Sequence, residues 1–287
     1  MSNIHYTLPV KKCKSECLLG IDNICSSNDA IVVMKKYVGY GEDENIKDEV
    51  VVEKIKSKLN CETEKCVLNH PLLATGQNLN IIKKSLQRFK PAGPANNTDL
   101  LSNHDIDNLI RRLTNIYPNH YHMNYQMIDF AGVDCVNGKC RMPPTELGLI
   151  DMVDDVIKKK YITFSVVMNT DVRTGGGIHW FSLFCDFRKI PYTIEYFNSS
   201  GLKPRVQIQE WLIKTERNIA SKMPNVKPQI IILKGMVHQK DSDTECGLYS
   251  IYYIWNRLSD IPYNSFQMRR IPDADMITFR TMCFAQH

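Results

Sequence analysis

No run of about 18 apolar residues occurs anywhere in this 287-residue sequence, which excludes an ordinary helical membrane span from the reading. The first residues, MSNIHYTLPVKKCKSEC, also lack the apolar stretch of a signal peptide. Both absences predict a soluble, cytoplasmic protein with no membrane partner. Charge of one sign is scarce as well: the net charge is +5, and neither end carries a basic tail. Nucleic-acid binding is therefore not called for, although a local basic patch stays open. Ten cysteines are present, but paired C-x₂₋₄-C units with histidines at zinc-site distances are missing, so no metal or other cofactor is expected. In a reducing compartment these cysteines read as buried thiols or catalytic groups rather than as a disulfide framework.

What is present is globular. Hydrophobic residues make up 43% and charged residues 23% of the chain, enough for one sizeable domain with an appendage or for two small domains. The first 90 residues carry three helical patterns, around Ala30 to Tyr40, Val50 to Leu59 and Leu79 to Phe89. Cys13, Cys17, Cys25, Cys61 and Cys66 are spread among them without a repeating spacing and are read as dispersed thiols. Lys90 to Thr98, KPAGPANNT, ends the third helix with two prolines and a glycine. The expected organisation is a helical arm over residues 1–90 and a core domain over 91–287.

The core mixes helices and strands. Asn103-His104-Asp105 can cap a helix bearing Ile106, Leu109, Ile110 and Leu113 on one face, and Tyr117 to Phe130 ends in a strand. Cys135 to Cys140 suggests a turn with two incidental thiols, and Thr145 to Lys159 a helix. Ile162 to Met168 is an apolar, β-branched run suited to a strand buried on both faces. Trp180 to Arg188 and Tyr192 to Phe197 form a hairpin pattern, followed by a helix from Val206 to Met223, a strand from Gln229 to Gly235 and a last helix opening at Pro272-Asp273.

The stretch QKDSDTECGLYSIYYIWNRL, Gln239 to Leu258, carries the strongest chemical signal. A polar loop runs into a Cys-Gly pair and then into a helix with Leu248, Ile251, Ile254, Trp255 and Leu258 at three- and four-residue steps. Cys246 thus opens a helix, where free backbone N–H groups favour the thiolate. Gly247 would let a substrate backbone approach the sulfur. If the hairpin turns midway between its strands, His179 faces Asn198, which can fix the imidazole tautomer and leave the other nitrogen for Cys246. Asn198-Ser-Ser-Gly is also good turn chemistry in its own right. Gly175-Gly176-Gly177 either leaves room for an extended substrate or simply forms a flexible loop.

These residues, with CVLNHP, RFKPAGPANNT, VMNTD, GIHW, IEYFNSSG, HQKDSDTECGLYS and MITFRT in order, resemble the clan of cysteine proteases that includes adenovirus protease and the Ulp1/SENP deSUMOylating enzymes. Within it they are most similar to polyprotein-processing proteases of the African swine fever virus type. The resemblance implies an α+β core of the Ulp1/adenain type, with a central mixed β-sheet flanked by helices and a mainly helical N-terminal arm. It implies a catalytic Cys246, His179 and Asn198, with Gln239 in the oxyanion hole one residue further from the nucleophile than in those relatives. Trp180, Gly177 and Gly247 would then bind substrate, and cleavage would follow Gly-Gly motifs in viral structural polyproteins, in the virion and at assembly sites in the host cytoplasm. The alternatives are an isopeptidase acting on a SUMO- or ubiquitin-like modifier and a non-catalytic scaffold that binds Gly-Gly tails.

Overall fold

The computed structural model describes residues 24–285 apart from Asp43, Ala92, Asn97, Asn137 and Gly138, so the readings of Cys13 and Cys17 lie outside the described residues. The chain divides into two compact units: one runs up to Gly93 and takes in the segment from Thr281, and the other spans Pro94–Arg280.

The first unit holds helices α1 (Asn28–Val38), α2 (Asp48–Leu59), α3 (Glu64–Leu68) and α4 (Asn78–Gln87). Ser27 heads α1 by accepting the Ala30 N–H, and Gly39 ends it at φ 87°, a conformation that favours glycine. Periodicity located three of these helices; α3 is too short to show a period. Ile31, Met34, Val51, Ile55, Val67 and Ile82 are buried in one cluster. Glu64 is buried too, and its carboxylate accepts the Cys25 and Ser26 N–H groups and, at 2.7 Å, the Ser26 hydroxyl. A carboxylate can leave water only with partners of this kind.

A disulfide joins Cys61 to Cys66, and Cys25 and Cys140 each belong to a further disulfide. This corrects the reading of dispersed, reduced thiols. Asn60, in the left-handed region at φ 54°, and the Thr63 cap of α3 fold the chain back and bring the Cys61 and Cys66 Cα atoms to 5.5 Å.

The second unit begins with α5 (Asn103–Ile116), headed by Ser102 and Asp105 in a reciprocal capping box rather than by Asn103. Strands β1 (His120–Met127), β2 (Val133–Val136) and β3 (Lys139–Met142) follow. The single helix expected over Thr145 to Lys159 is instead a short α6 (Glu146–Leu149) and a separate π-helical segment, Met152–Ile157. Asp151 breaks them by turning its own side chain onto the Val153 and Asp154 N–H groups. Then come β4 (Thr163–Asn169), β5 (Trp180–Asp186), β6 (Thr193–Phe197), α7 (Val206–Lys222), β7 (Gln229–Leu233), α8 (Cys246–Leu258), α9 (Ser265–Met268) and α10 (Asp273–Cys283).

The five-stranded sheet has the order β1-β4-β5-β6-β7, antiparallel through the β4-β5-β6 meander and parallel at both outer pairs. Every residue of β4 is buried, as a strand covered on both faces requires. Strand alternation sends Phe164, Leu183, Cys185 and Tyr196 to one face, where α7 packs through Trp211 and Ile208. Phe184, Glu195 and Phe197 go to the other and meet α8 through Tyr253 and Arg257. The expected α+β architecture, a mixed sheet flanked by helices alongside a helical N-terminal unit, is the one found.

Candidate active site

The β5-β6 hairpin supplies two of the candidate residues. Ser182 pairs with Phe197 and Asp186 with Thr193, a register two residues away from the one that would set His179 directly opposite Asn198. A slip of two keeps every side chain on its own face, and diagonal neighbours still touch. His179 Nε2 accordingly lies 2.7 Å from Asn198 Oδ1. The same oxygen accepts the Ser200 N–H at 3.0 Å and the Ser200 hydroxyl at 2.8 Å, and Asn198 Nδ2 donates to the Tyr196 hydroxyl at 3.0 Å. With three donors around Oδ1, the proton of the neutral imidazole belongs on Nε2, and the lone pair stands on Nδ1. Tyr196 and Ser200 carried no sequence signal for this role, because a hydroxyl near an asparagine is commonplace until the chain folds.

Cys246 is the first residue of α8 and is buried. Its Sγ meets the backbone N–H groups of Trp180, Gly247 and Cys246 itself. Trp180 directly follows His179, so the sulfur is held at the strand that carries the imidazole. Burial nevertheless dominates: it pushes the thiol up from its ordinary 9.0, the Glu245 carboxylate adds to that, and the three N–H groups offset only part of it. Burial likewise pushes the His179 imidazole below its ordinary 6.5 against the opposing hydrogen bond of Asn198. This corrects the thiolate expected from the helix start. Both shifts favour the uncharged forms, a thiol and a neutral imidazole.

The loop before α8 is heavily bonded. Gln239 donates its N–H to the Ser199 carbonyl, accepts the Ser199 hydroxyl on Oε1 at 2.9 Å, and donates Nε2 to the Ser242 carbonyl at 2.9 Å. One Nε2 hydrogen is left over. Glu245 is buried against the Ser242 hydroxyl and the Thr244 hydroxyl, with the Arg280 guanidinium 3.8 Å away.

The three residues expected to bind substrate have structural occupations. The Trp180 side chain is buried, and its indole N–H donates to the Leu101 carbonyl at 3.1 Å. Gly247 is buried against the same residue: a Cβ on it would stand 3.2 Å from Leu101 side-chain carbons. Leu101 thus braces the residue after the imidazole and the residue after the thiol. The glycine loop is braced by Asp171. Asp171 fills the space beside Gly175 where a Cβ would stand and accepts the Gly177 N–H, and Gly177 takes a left-handed φ of 88°.

A buried ionic network ties the thiol helix to the hairpin. Arg257 on α8 donates Nε and a terminal nitrogen to the two Glu195 oxygens, each at 2.8 Å, and also reaches Asp186 at 2.9 Å. Tyr253, one turn earlier, donates to Glu195 at 2.6 Å. Glu195 lies on β6 three residues before Asn198. The helix that opens at Cys246 and the strand that leads to Asn198 are therefore joined by a buried, hydrogen-bonded ion pair as well as by apolar packing.

The chain is similar to known cysteine proteases. Residues 150–286 match the Ulp1 protease family, C-terminal catalytic domain. A SUMO-1 cysteine protease of African swine fever virus is 36% identical over 234 residues, covering 80% of this chain and 85% of that protein. The crystal structure of the African swine fever virus protease superposes with a TM-score of 0.61 at 29% identity, covering 94% of each chain. A second crystal structure of that viral protease, with selenomethionine, gives a TM-score of 0.56 at 28% identity, covering 96% of this chain and 98% of the other. On the sequence, the fold and the relatives together, the chain belongs to the Ulp1 family of cysteine proteases.

Proposed function

We propose that Cys246, His179 and Asn198 act as nucleophile, base and orienter of an endopeptidase that cuts structural polyproteins after Gly-Gly during the maturation of a virus. The observation that carries the reading is the 2.7 Å bond of His179 Nε2 to Asn198, with the sulfur held at the next backbone N–H along the strand. Attack of Sγ on the scissile carbonyl passes the thiol proton to His179 Nδ1 as the carbon–sulfur bond forms. The imidazolium then gives that proton to the amine as the carbon–nitrogen bond breaks, leaving a thioester. Water attacks the thioester with His179 again taking a proton, and the carboxylate departs as the thiol is restored. The backbone N–H of Cys246 and the remaining Nε2 hydrogen of Gln239 are the proposed donors to the oxyanion.

Exposed apolar side chains beside the pair suit a polypeptide substrate: Ile178, next to His179, is 66% exposed, and Leu202, four residues after Asn198, is 65% exposed. Specificity for Gly-Gly rests on the resemblance to the viral relatives. The test is kcat/KM on paired peptides with Gly-Gly or Ala-Ala before the cut. The Gly-Gly peptide should be faster by about one to two orders of magnitude, the cost of forcing extra methyl groups into a packed site. Equal rates would remove the specificity.

A second reading follows from the name of the relative, SUMO-1 cysteine protease: release of a modifier that ends in Gly-Gly from a lysine side chain. An isopeptide-linked modifier conjugate, offered in parallel, separates the two. Its cleavage with no action on a linear polyprotein would favour the isopeptidase.

A further inference from the structure

The loop that carries Gln239 is gripped from one short segment downstream, Arg270 to Asp273. Asp273 is buried, and its Oδ2 accepts two successive backbone N–H groups, Lys240 at 3.1 Å and Asp241 at 2.9 Å, immediately after Gln239. Its Oδ1 accepts the Tyr249 hydroxyl of α8 at 3.1 Å, three residues after Cys246. Arg270 Nε donates to the His238 carbonyl at 3.0 Å, immediately before Gln239, while a terminal nitrogen reaches Asp241 at 2.8 Å and Asp273 at 3.2 Å. The Ile271 N–H donates to His238 Nδ1 at 3.1 Å. Ser199 holds Gln239 itself, while the residues on either side of it are bonded to the Arg270–Asp273 segment, which Tyr249 of the nucleophile helix also meets through the Ile271 carbonyl at 2.8 Å and Asp273.

We propose that Asp273, with Arg270, is a positioning residue that sets the reach of the Gln239 carboxamide toward the developing oxyanion. The inference rests on the reading of Gln239 as an oxyanion donor. Two adjacent N–H groups converging on one carboxylate oxygen fix the backbone direction at Lys240 and Asp241. Tyr249 passes that position to α8. An oxyanion donor works only when it is held where charge develops, so a small displacement is felt in kcat rather than in substrate binding.

The experiment compares Gln239→Ala, Asp273→Ala, Arg270→Ala and the double variant Gln239→Ala with Asp273→Ala in the full chain. Peptide kcat and KM are measured together with the rate at which iodoacetamide alkylates Cys246 at one fixed pH. Alkylation needs the sulfur but no oxyanion donor, so it reports whether the thiol and its helix are intact. Asp273→Ala should lower kcat on the order of a hundredfold, leave KM and alkylation close to the parent, and add little to Gln239→Ala. Arg270 is partly exposed, so Arg270→Ala is the variant to rely on if Asp273→Ala does not fold, and it should show the same pattern in weaker form. A parental kcat in Asp273→Ala and Arg270→Ala while Gln239→Ala is impaired overturns the clamp and leaves the oxyanion reading standing. A parallel fall of alkylation and kcat also overturns it, since the segment would then serve only to hold α8. A parental kcat in Gln239→Ala removes the oxyanion reading and the clamp with it.

Discussion

Asn198 Oδ1 receives His179 Nε2 at 2.7 Å while also accepting two hydrogen bonds from Ser200, so one carboxamide oxygen decides which imidazole nitrogen is free to exchange a proton. The rest of the proposed chemistry depends on that assignment, and it exposes the site to direct tests.

Cys246→Ala should abolish peptide cleavage while the protein stays folded, because the thiol is the proposed nucleophile and the smaller side chain fits the same helix start. Circular dichroism and a peptide assay check the two halves. Cleavage at the parental rate would end the assignment.

His179→Ala should be nearly as damaging, and Asn198→Ala milder, since an orienter usually matters less than the base it holds. Asn198→Asp should keep substantial activity, as Ser200 can still donate to the new carboxylate. The added negative charge stabilises the imidazolium, so the acid limb of the kcat/KM profile should move to higher pH. In the parent protein that limb should fall below 6.5, because burial holds the His179 ring under its ordinary value. An acid limb that does not move in Asn198→Asp would separate Asn198 from the base.

Two other histidines should govern acid stability. His120 is buried between the Thr163 and Ser165 hydroxyls and is pushed down to about 3, and His238 is pushed down to about 4, both chiefly by burial. As pH falls below 6.5 the unfolded chain takes up protons at these rings and the folded chain does not, so stability declines. The decline should level off once the folded rings are themselves protonated, near 4 and then 3. A tenfold difference in proton affinity is about 1.4 kcal/mol, so the two together amount to several kcal/mol. Urea unfolding at a series of pH values measures this, and an unchanged midpoint from pH 6.5 down to 4 would contradict it.

Arg257→Met should cost about 3–5 kcal/mol, since it leaves the Glu195 carboxylate buried without its cation. Adding Glu195→Gln should recover much of the loss by removing the stranded charge. Equal stability of the single and double variants would show that the pair does not act as a unit.

The sequence by itself determined the longer elements and the chemistry on offer, while α3 and the break at Asp151 escaped it. The apolar run in β4, the alternation in β5 and the three- and four-step pattern in α8 are local periodicities, and a local period is visible without a fold. The residue types at His179, Asn198, Gln239 and Cys246 were legible for the same reason, with the resemblance adding their order. What only the tertiary structure decided is how far apart these groups stand and what surrounds them. The hairpin register came out two residues from the simple estimate, because a turn of unknown shape sets it. Burial, which no local window reports, reversed the expected bias of Cys246 toward thiolate. Leu101 gave Trp180 and Gly247 their structural partners from about 80 and nearly 150 residues away along the chain, and Asp273 reached back to the Gln239 loop. Long-range contacts of this kind pair residues that share no local pattern, and packing alone brings them together.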